Sequence, residues 1–282
     1  MTASPSSSVQ EARKSIAERL REIRLDAGLT GRELALRCGW HPAKSSRIEN
    51  VKTLPSDADL RAWCLACGVE DQAADLIAAS RTASSMYMEW RRLQRTGLRR
   101  LQESYVPLYE RTKLFRVYCS HVVPGLLQTP AYATVLLSAI TDFRRIPNDV
   151  EDAVSARVAR SHVIREGDHR FAVLLEEGVL RHRIGDAETM AGQLGHLLAI
   201  MSLPRVSLGI IPFTAERRMW VIEPFTIFDD AQAGVELLSA DVKLTAPNDT
   251  HLYTRAFSEL QRLAVYGARA RPLIAAAINA LG

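Results

Sequence analysis

Cysteine is scarce in this sequence, with 4 in 282 residues, and Cys38, Cys64, Cys67 and Cys119 form no spacing that suggests a disulfide framework. Aromatic side chains are few as well, at 6% of the chain. No apolar run approaches the roughly 18 residues that a membrane span needs. The Ser-rich start, MTASPSSSVQ, has neither the basic nor the apolar region of a secretion signal. These absences predict a protein that is neither exported nor membrane-inserted and that keeps its thiols reduced, as in the cytoplasm. A large excess of one charge is missing too, since 36 basic against 32 acidic side chains leave +4. What is present, 47% hydrophobic and 24% charged residues, is the composition of a globular protein with a real core, and the length fits two domains.

Signatures of chemistry are also wanting. There is no phosphate-binding Walker loop, no G-x-S-x-G elbow and no G-x-G-x-x-G behind a strand. Cys64 and Cys67 make a lone C-x-x-C, half of what a four-ligand zinc site requires, and read better as small buried hydrophobes. The histidines, among them His162, His182 and His196, are scattered. Glu176 and Glu177 are neighbours in an expected strand, so they face opposite ways and cannot share a substrate. No enzyme, catalytic residue, metal or cofactor is expected.

The N-terminal third carries helical punctuation. Ile16, Leu20, Ile23 and Ala27 recur at helical spacing ahead of Gly28, giving a first helix over about 10–27. Thr30 with Glu33 is a capping box for a second helix ending near Cys38. His41 is a weak N-cap and Pro42 suits the first position of a third helix reaching Glu49, and Ser56 opens a fourth that Gly68 closes. Two short helices joined by a tight glycine turn within such a set have the spacing of a helix-turn-helix. Ala43, Lys44 and Arg47 share an exposed arc of the third helix, with Arg47 able to reach guanine O6 and N7, while Ile48 faces the core. The charge balance alone is too weak to argue for DNA: residues 1–82 carry 12 basic and 11 acidic groups, 89–116 carry 8 and 3, and 117–282 carry 16 and 18.

The stretch LTGRELALRCGWHPAKSSRIENVKTLPS resembles the Xre, or lambda-repressor-like, DNA-binding domain. It keeps Thr30, Glu33, Leu34, Ala35, Ser46, Arg47, Ile48, Glu49 and Asn50. It departs at Gly31, where a phosphate-contacting Gln is common, at Pro42, where a base-reading Gln is frequent, and at Val51, where Gly is usual. The resemblance implies that Asn50 and Lys52 touch phosphate and that Arg24 and Glu49 pair to fasten the recognition helix. The candidate DNA contacts are Arg32, Pro42, Ala43, Lys44, Ser46, Arg47, Asn50 and Lys52, with Arg47 and Lys44 reading sequence.

Beyond 10–82 we expect a basic amphipathic linker helix over 83–110. Trp90, Leu93, Gly97, Leu101 and Tyr105 lie on one face, offered either to the same chain or to a two-fold interface, with Arg91, Arg92, Arg95, Arg99 and Arg100 around it. Residues 111–282 then mix periods: strands near 115–118, 171–175, 206–211, 225–228 and 235–239, and helices near 128–140, 149–165, 187–202, 249–266 and 270–281. The fold class is therefore an all-α helix-turn-helix domain of about five helices plus a larger α+β domain, behind a disordered 1–9. The string PGLLQTPAYA, with EEGVLRHRIGD and GQLGHLL, resembles the antitoxin-like effector domain of actinobacterial WhiJ-like regulators. That resemblance implies control through a small partner protein encoded nearby. Pro124, Gly125, Leu126, Leu127, Gln128 and Thr129 are candidate effector contacts or else a packed strand-to-helix corner capped by Thr129. The reading is a sequence-specific regulator, a homodimeric repressor on a double-stranded operator. The rivals are a small-molecule sensor with a pocket of Trp220, Phe225 and Phe228, and an unrecognised enzyme fused to a DNA-binding domain.

Overall fold

The computed structural model describes the backbone of residues 5–282, in two compact units, one ending at Met88 and one running Glu89–Gly282. The side chains of residues 5–11, 78, 81–89, 91 and 92 lie outside the description.

The first unit is helical: α1 (Pro5–Asp26), α2 (Gly31–Arg37), α3 (Pro42–Glu49), α4 (Asp57–Cys67) and α5 (Ala73–Met86). The disordered start expected over 1–9 is corrected in part. α1 already begins at Pro5, whose fixed φ and missing N–H suit a first helical turn, while residues 1–4 lie outside the described residues. Local chemistry sets the other ends. The Thr30–Glu33 capping box closes in both directions, a second box joins Ser56 and Asp59, and Gly28 and Gly68 take φ of +70° and +73° at helix C-termini. Ile16, Leu20, Ile23, Leu34, Ile48, Leu60, Trp63, Leu76 and Ile77 make one core, within which the Trp63 Nε1 donates to Leu20 O at 3.0 Å.

The expected linker helix is not one helix. After β1 (Tyr87–Glu89) come three short pieces, α6 (Trp90–Leu93), α7 (Arg99–Ser104) and α8 (Val106–Arg111). The break is made by Gly97, at φ +98°, and by Asp149, whose carboxylate accepts from the N–H of Leu98 at 2.7 Å and of Arg99 at 2.9 Å and so starts α7 afresh. These pieces belong to the second unit. Trp90, Leu98 and Leu101 are buried there with Ala133, Leu137, Val150 and Val154, and Leu93 and Tyr105 pack against them. The stripe therefore serves its own chain and is not free for a two-fold interface. Arg91 and Arg92, assigned to the basic face, lie outside the described side chains; Arg99 is spent on Glu103 and Asp152.

Around a sheet in the order β7-β6-β5-β2-β3-β4-β8 the second unit arranges its remaining helices. β2 (Leu114–Cys119), β3 (Arg170–Glu176) and β4 (Val206–Ile211) are parallel. Their crossovers run through α9 (Pro130–Arg144) with α10 (Val150–Arg160), and through α11 (Glu177–Arg181) with α12 (Ala187–Ile200). β5 (Phe225–Phe228), β6 (Gln232–Glu236) and β7 (Ala240–Leu244) form an antiparallel meander on β2, and β8 (Val265–Tyr266) pairs antiparallel with β4. The strand expected at 235–239 is thus the end of β6 and the turn into β7, closed by Leu237 N–H to Ala240 O at 2.8 Å. One face of the sheet (Phe115, Val117, Phe171, Val173, Leu208, Ile210) packs with Met190, Leu194 and Leu197 of α12 and with Ile274 of α14 (Arg271–Asn279). On the other face, α13 (Pro247–Leu263) brings Tyr253 and Phe257 against Phe225.

Candidate nucleic-acid interface

α2, the turn over Cys38–His41 and α3 form the candidate site. α3 begins where the His41 Nδ1 accepts from Ala43 N–H at 3.2 Å, with Pro42 in its first turn. Two of its residues face inward: Ile48 is in the core, and buried Ser45 donates to Gly31 O at 2.9 Å, tying α3 to α2. The outer arc is Pro42, Ala43, Ser46, Arg47 and Asn50, all exposed. Arg47 uses Nε on Ala43 O at 3.3 Å, while its side chain stays exposed. The Asn50 Nδ2 donates to Ser46 O at 2.7 Å, so Asn50 caps α3 as well as standing at its outer end. Lys52 and Arg32 are exposed.

Arg24 and Glu49 meet in a two-pronged pair, Nε to Oε1 at 2.6 Å and Nη2 to Oε2 at 3.1 Å, and the Arg24 Nη1 donates to Leu29 O at 2.7 Å. Its side chain is 9% exposed. The Glu49 hydrogen bond raises the Arg24 pKa further, against the effect of burial. A fully paired guanidinium thus links the end of α1, the loop before α2 and the end of α3.

Lys44 departs from the sequence reading. It is half-buried rather than exposed, its Nζ lying 2.6 Å from Asp59 Oδ1 and 4.5 Å from the centre of the Trp40 ring. Burial would raise the Asp59 pKa, but Lys44 and the Ser56 cap outweigh it and hold the carboxyl below its usual range. A lysine so held pins α3 to α4 and the turn, and is not free to scan bases. Neither Asp59 nor Trp40 was singled out in the sequence; the only local signal was that Asp59 stands at the acidic position of the Ser56 cap. Val51 also emerges here, at φ +58°, a left-handed conformation that a β-branched residue adopts at a cost. The usual Gly at this position was the signal.

In the second unit the motif residues 124–129 build a corner. Leu126, Leu127 and Gln128 are buried. The Gln193 side chain accepts from Thr129 N–H and donates to Leu127 O, both at 2.7 Å, and Thr129 caps α9 at Tyr132 N–H. This corrects the partner-contact assignment for Leu126, Leu127 and Gln128, whose side chains are spent inside the fold. The aromatic pocket is likewise corrected: Trp220 is 59% exposed while Phe225 and Phe228 are core residues, with Phe225 against Tyr118 and Phe228 against Tyr109 and Phe115. Glu176 and Glu177 do take separate partners, Tyr118 with Arg217 and Arg181 with Phe213 N–H. Burial raises the thiol pKa of Cys64, and that of Cys67 to about 11. Among the described residues no three His, Cys, Asp or Glu side chains gather as metal ligands, and no helix is long and apolar enough to cross a membrane.

Residues 15–77 match the family described as "Helix-turn-helix domain", and residues 102–276, more than half of the chain, match the "Domain of unknown function (DUF5753)". The chain belongs to the DUF5753 family. No curated protein matches it. One solved structure, "Structure of TrmBL2, an archaeal chromatin protein, shows a novel mode of DNA binding.", is 13% identical over 80% of this chain and 72% of that chain, with a TM-score of 0.29, too low to carry an argument. The DUF5753 region covers the sheet and its crossover helices, whereas the helix-turn-helix match covers α2 and α3 and thus every candidate DNA contact. The helix-turn-helix match supports DNA-binding regulation for this DUF5753 protein.

Proposed function

We propose that the protein is a cytoplasmic, homodimeric transcription repressor of the Xre type that reads an operator through α3 and is controlled through its DUF5753 unit. The observation that carries the reading is the fastened recognition helix, with Arg24–Glu49 fixing its C-terminal end while Arg47 is exposed on the outer arc. A helix about 10–12 Å across fits a major groove of about 12 Å, and a preorganised guanidinium there matches guanine O6 and N7. Arg47, with Pro42, Ala43 and Ser46 around it, is the base-reading face; Arg32, Asn50 and Lys52 meet phosphate; Lys44 positions the helix. Homodimerisation follows from geometry, since one helix-turn-helix reads a half-site and a palindromic operator places two about 34 Å apart. Control by a small, antitoxin-like partner rests on the resemblance. No catalytic step is assigned.

The test is a DNA titration at several salt concentrations. Lys52→Ala should weaken all sequences alike and lower the salt slope by about 1. Lys44→Arg should keep affinity, and Lys44→Met should lower it for all sequences without changing preference. A Lys44→Met protein with altered base preference would return Lys44 to direct readout.

A further inference from the structure

Two guanidinium groups of the second unit have no carboxylate within salt-bridge distance among the described residues, Glu236 acting on Arg157 only from further away. Arg157 and Arg160 stand one turn apart on α10. The Arg157 Nε donates to Gln102 Oε1 at 3.0 Å and its Nη1 to Gln128 Oε1 at 2.6 Å. The Arg160 Nη1 donates to Gln102 O at 3.2 Å, and its guanidinium lies 5.2 Å and 5.0 Å from the centres of the Tyr105 and Tyr109 rings. Arg160 is 6% exposed and its Nε has no partner. Burial, and then repulsion by Arg160, pull the Arg157 pKa down to about 10.

Holding two like charges against neutral amides and ring faces is costly, and a corner that needed only packing would be served as well by uncharged side chains. The guanidiniums also converge on one place. A Cβ on Gly125 would stand 3.3 Å from the Arg160 Nη2 and 3.7 Å from the Arg157 Cζ and Nε. Gly125 is not in a left-handed conformation, so its backbone does not demand glycine; its missing side chain lets the two guanidinium groups lie against the backbone. Arg157 and Gly125 are both partly exposed. The donors with no hydrogen bond among the described residues, Arg160 Nε and Nη2 with Arg157 Nη2, are of the kind that match the oxygens of a carboxylate or phosphate.

We propose that Arg157 and Arg160, at Gly125, form a receptor for the anionic group of a small ligand, a phosphate or a carboxylate. The site goes beyond the DNA-binding reading and stands without it. It gives the PGLLQT motif a second task, since Gly125 makes room for the two guanidinium groups and Gln128 orients Arg157.

The probes are inorganic phosphate and acetate, titrated into the full chain by calorimetry at constant ionic strength set with chloride, with thermal unfolding in parallel. The expected result is saturable binding of one of the two anions, raised thermal stability with that anion, and at least tenfold weaker binding in both Gly125→Ala and Arg157→Gln. Which anion binds tells a phosphorylated ligand from a carboxylic acid. Gly125→Ala leaves both arginines in place, so it decides the matter even where Arg157→Gln fails to fold. Equal binding in wild type and Gly125→Ala, or no binding of either anion to the wild type, would overturn the proposal.

Discussion

Val51 shows how one side chain can carry a cost that its neighbours conceal. At φ +58° it sits where the left-handed conformation costs an L-residue about 1–2 kcal/mol. Val51→Gly should therefore raise the stability of the first unit by about 1 kcal/mol, part of the gain being offset by the freer unfolded chain. Urea unfolding checks this, and a loss of stability would show that Val51 packing outweighs its backbone. Arg24 is the opposite case. Removing it leaves Glu49 with a side chain 15% exposed and no cation, and breaking a buried pair costs up to about 3–5 kcal/mol, so Arg24→Ala should unfold the first unit or abolish DNA binding. Circular dichroism and a binding titration read the two outcomes, and a folded, fully binding Arg24→Ala protein would remove the pair from the account.

At the scale of elements, the corner between β2 and α9 depends on a partner far along the chain. Gln193, fully buried on α12, satisfies Thr129 N–H and Leu127 O together. Gln193→Leu leaves both backbone groups unpaired at about 1–3 kcal/mol each, so a fall of at least 2 kcal/mol in chemical denaturation is expected. A fall below 1 kcal/mol would mean that water or a shifted loop replaces the amide. Elements ended by their own residues were legible in the sequence: the Thr30 and Ser56 caps, Pro42, and the Thr129–Pro130 start of α9. Elements ended by distant residues were not. The break at Gly97 depends on Asp149, some 50 residues on, and the turn over Leu237 and Leu238 has only Ser239 beside it as a weak turn signal, with no Gly, Pro, Asn or Asp between the strands. The same division runs through the site. The outer arc of α3 follows from helical spacing, but the role of Lys44 lies with Asp59, 15 residues away.

For the molecule as a whole, pH enters through the second unit. Asp241, 4% exposed on β7, accepts from the Tyr105 hydroxyl at 3.1 Å and faces Glu236 across the ladder. Burial first, then the Glu236 charge, raises its pKa from 3.8 to about 6, with Lys243 and the Tyr105 bond opposing. A carboxyl group whose pKa is raised by folding stabilises the fold when protonated. That stabilisation is complete below pH 4 and disappears as pH rises through about 6. Asp241→Asn, which keeps an acceptor for Tyr105, should thus raise stability above pH 7 by up to about 3 kcal/mol, from 2.2 pH units at 1.36 kcal/mol each, and have no effect below pH 4. Thermal unfolding across pH 4–8 reads it, and a pH-independent difference would show that the charge of Asp241 costs the fold nothing.

Base reading by Arg47 of α3, as proposed, is checked by binding-site selection from random duplex DNA, with wild type and Arg47→Ala run side by side. The wild type is expected to enrich two half-sites about 34 Å apart, and Arg47→Ala to lose preference at one base pair in each, at a cost of about 1–3 kcal/mol, with the rest of the pattern intact. An unchanged pattern in Arg47→Ala, or no enriched sequence for the wild type, would contradict it.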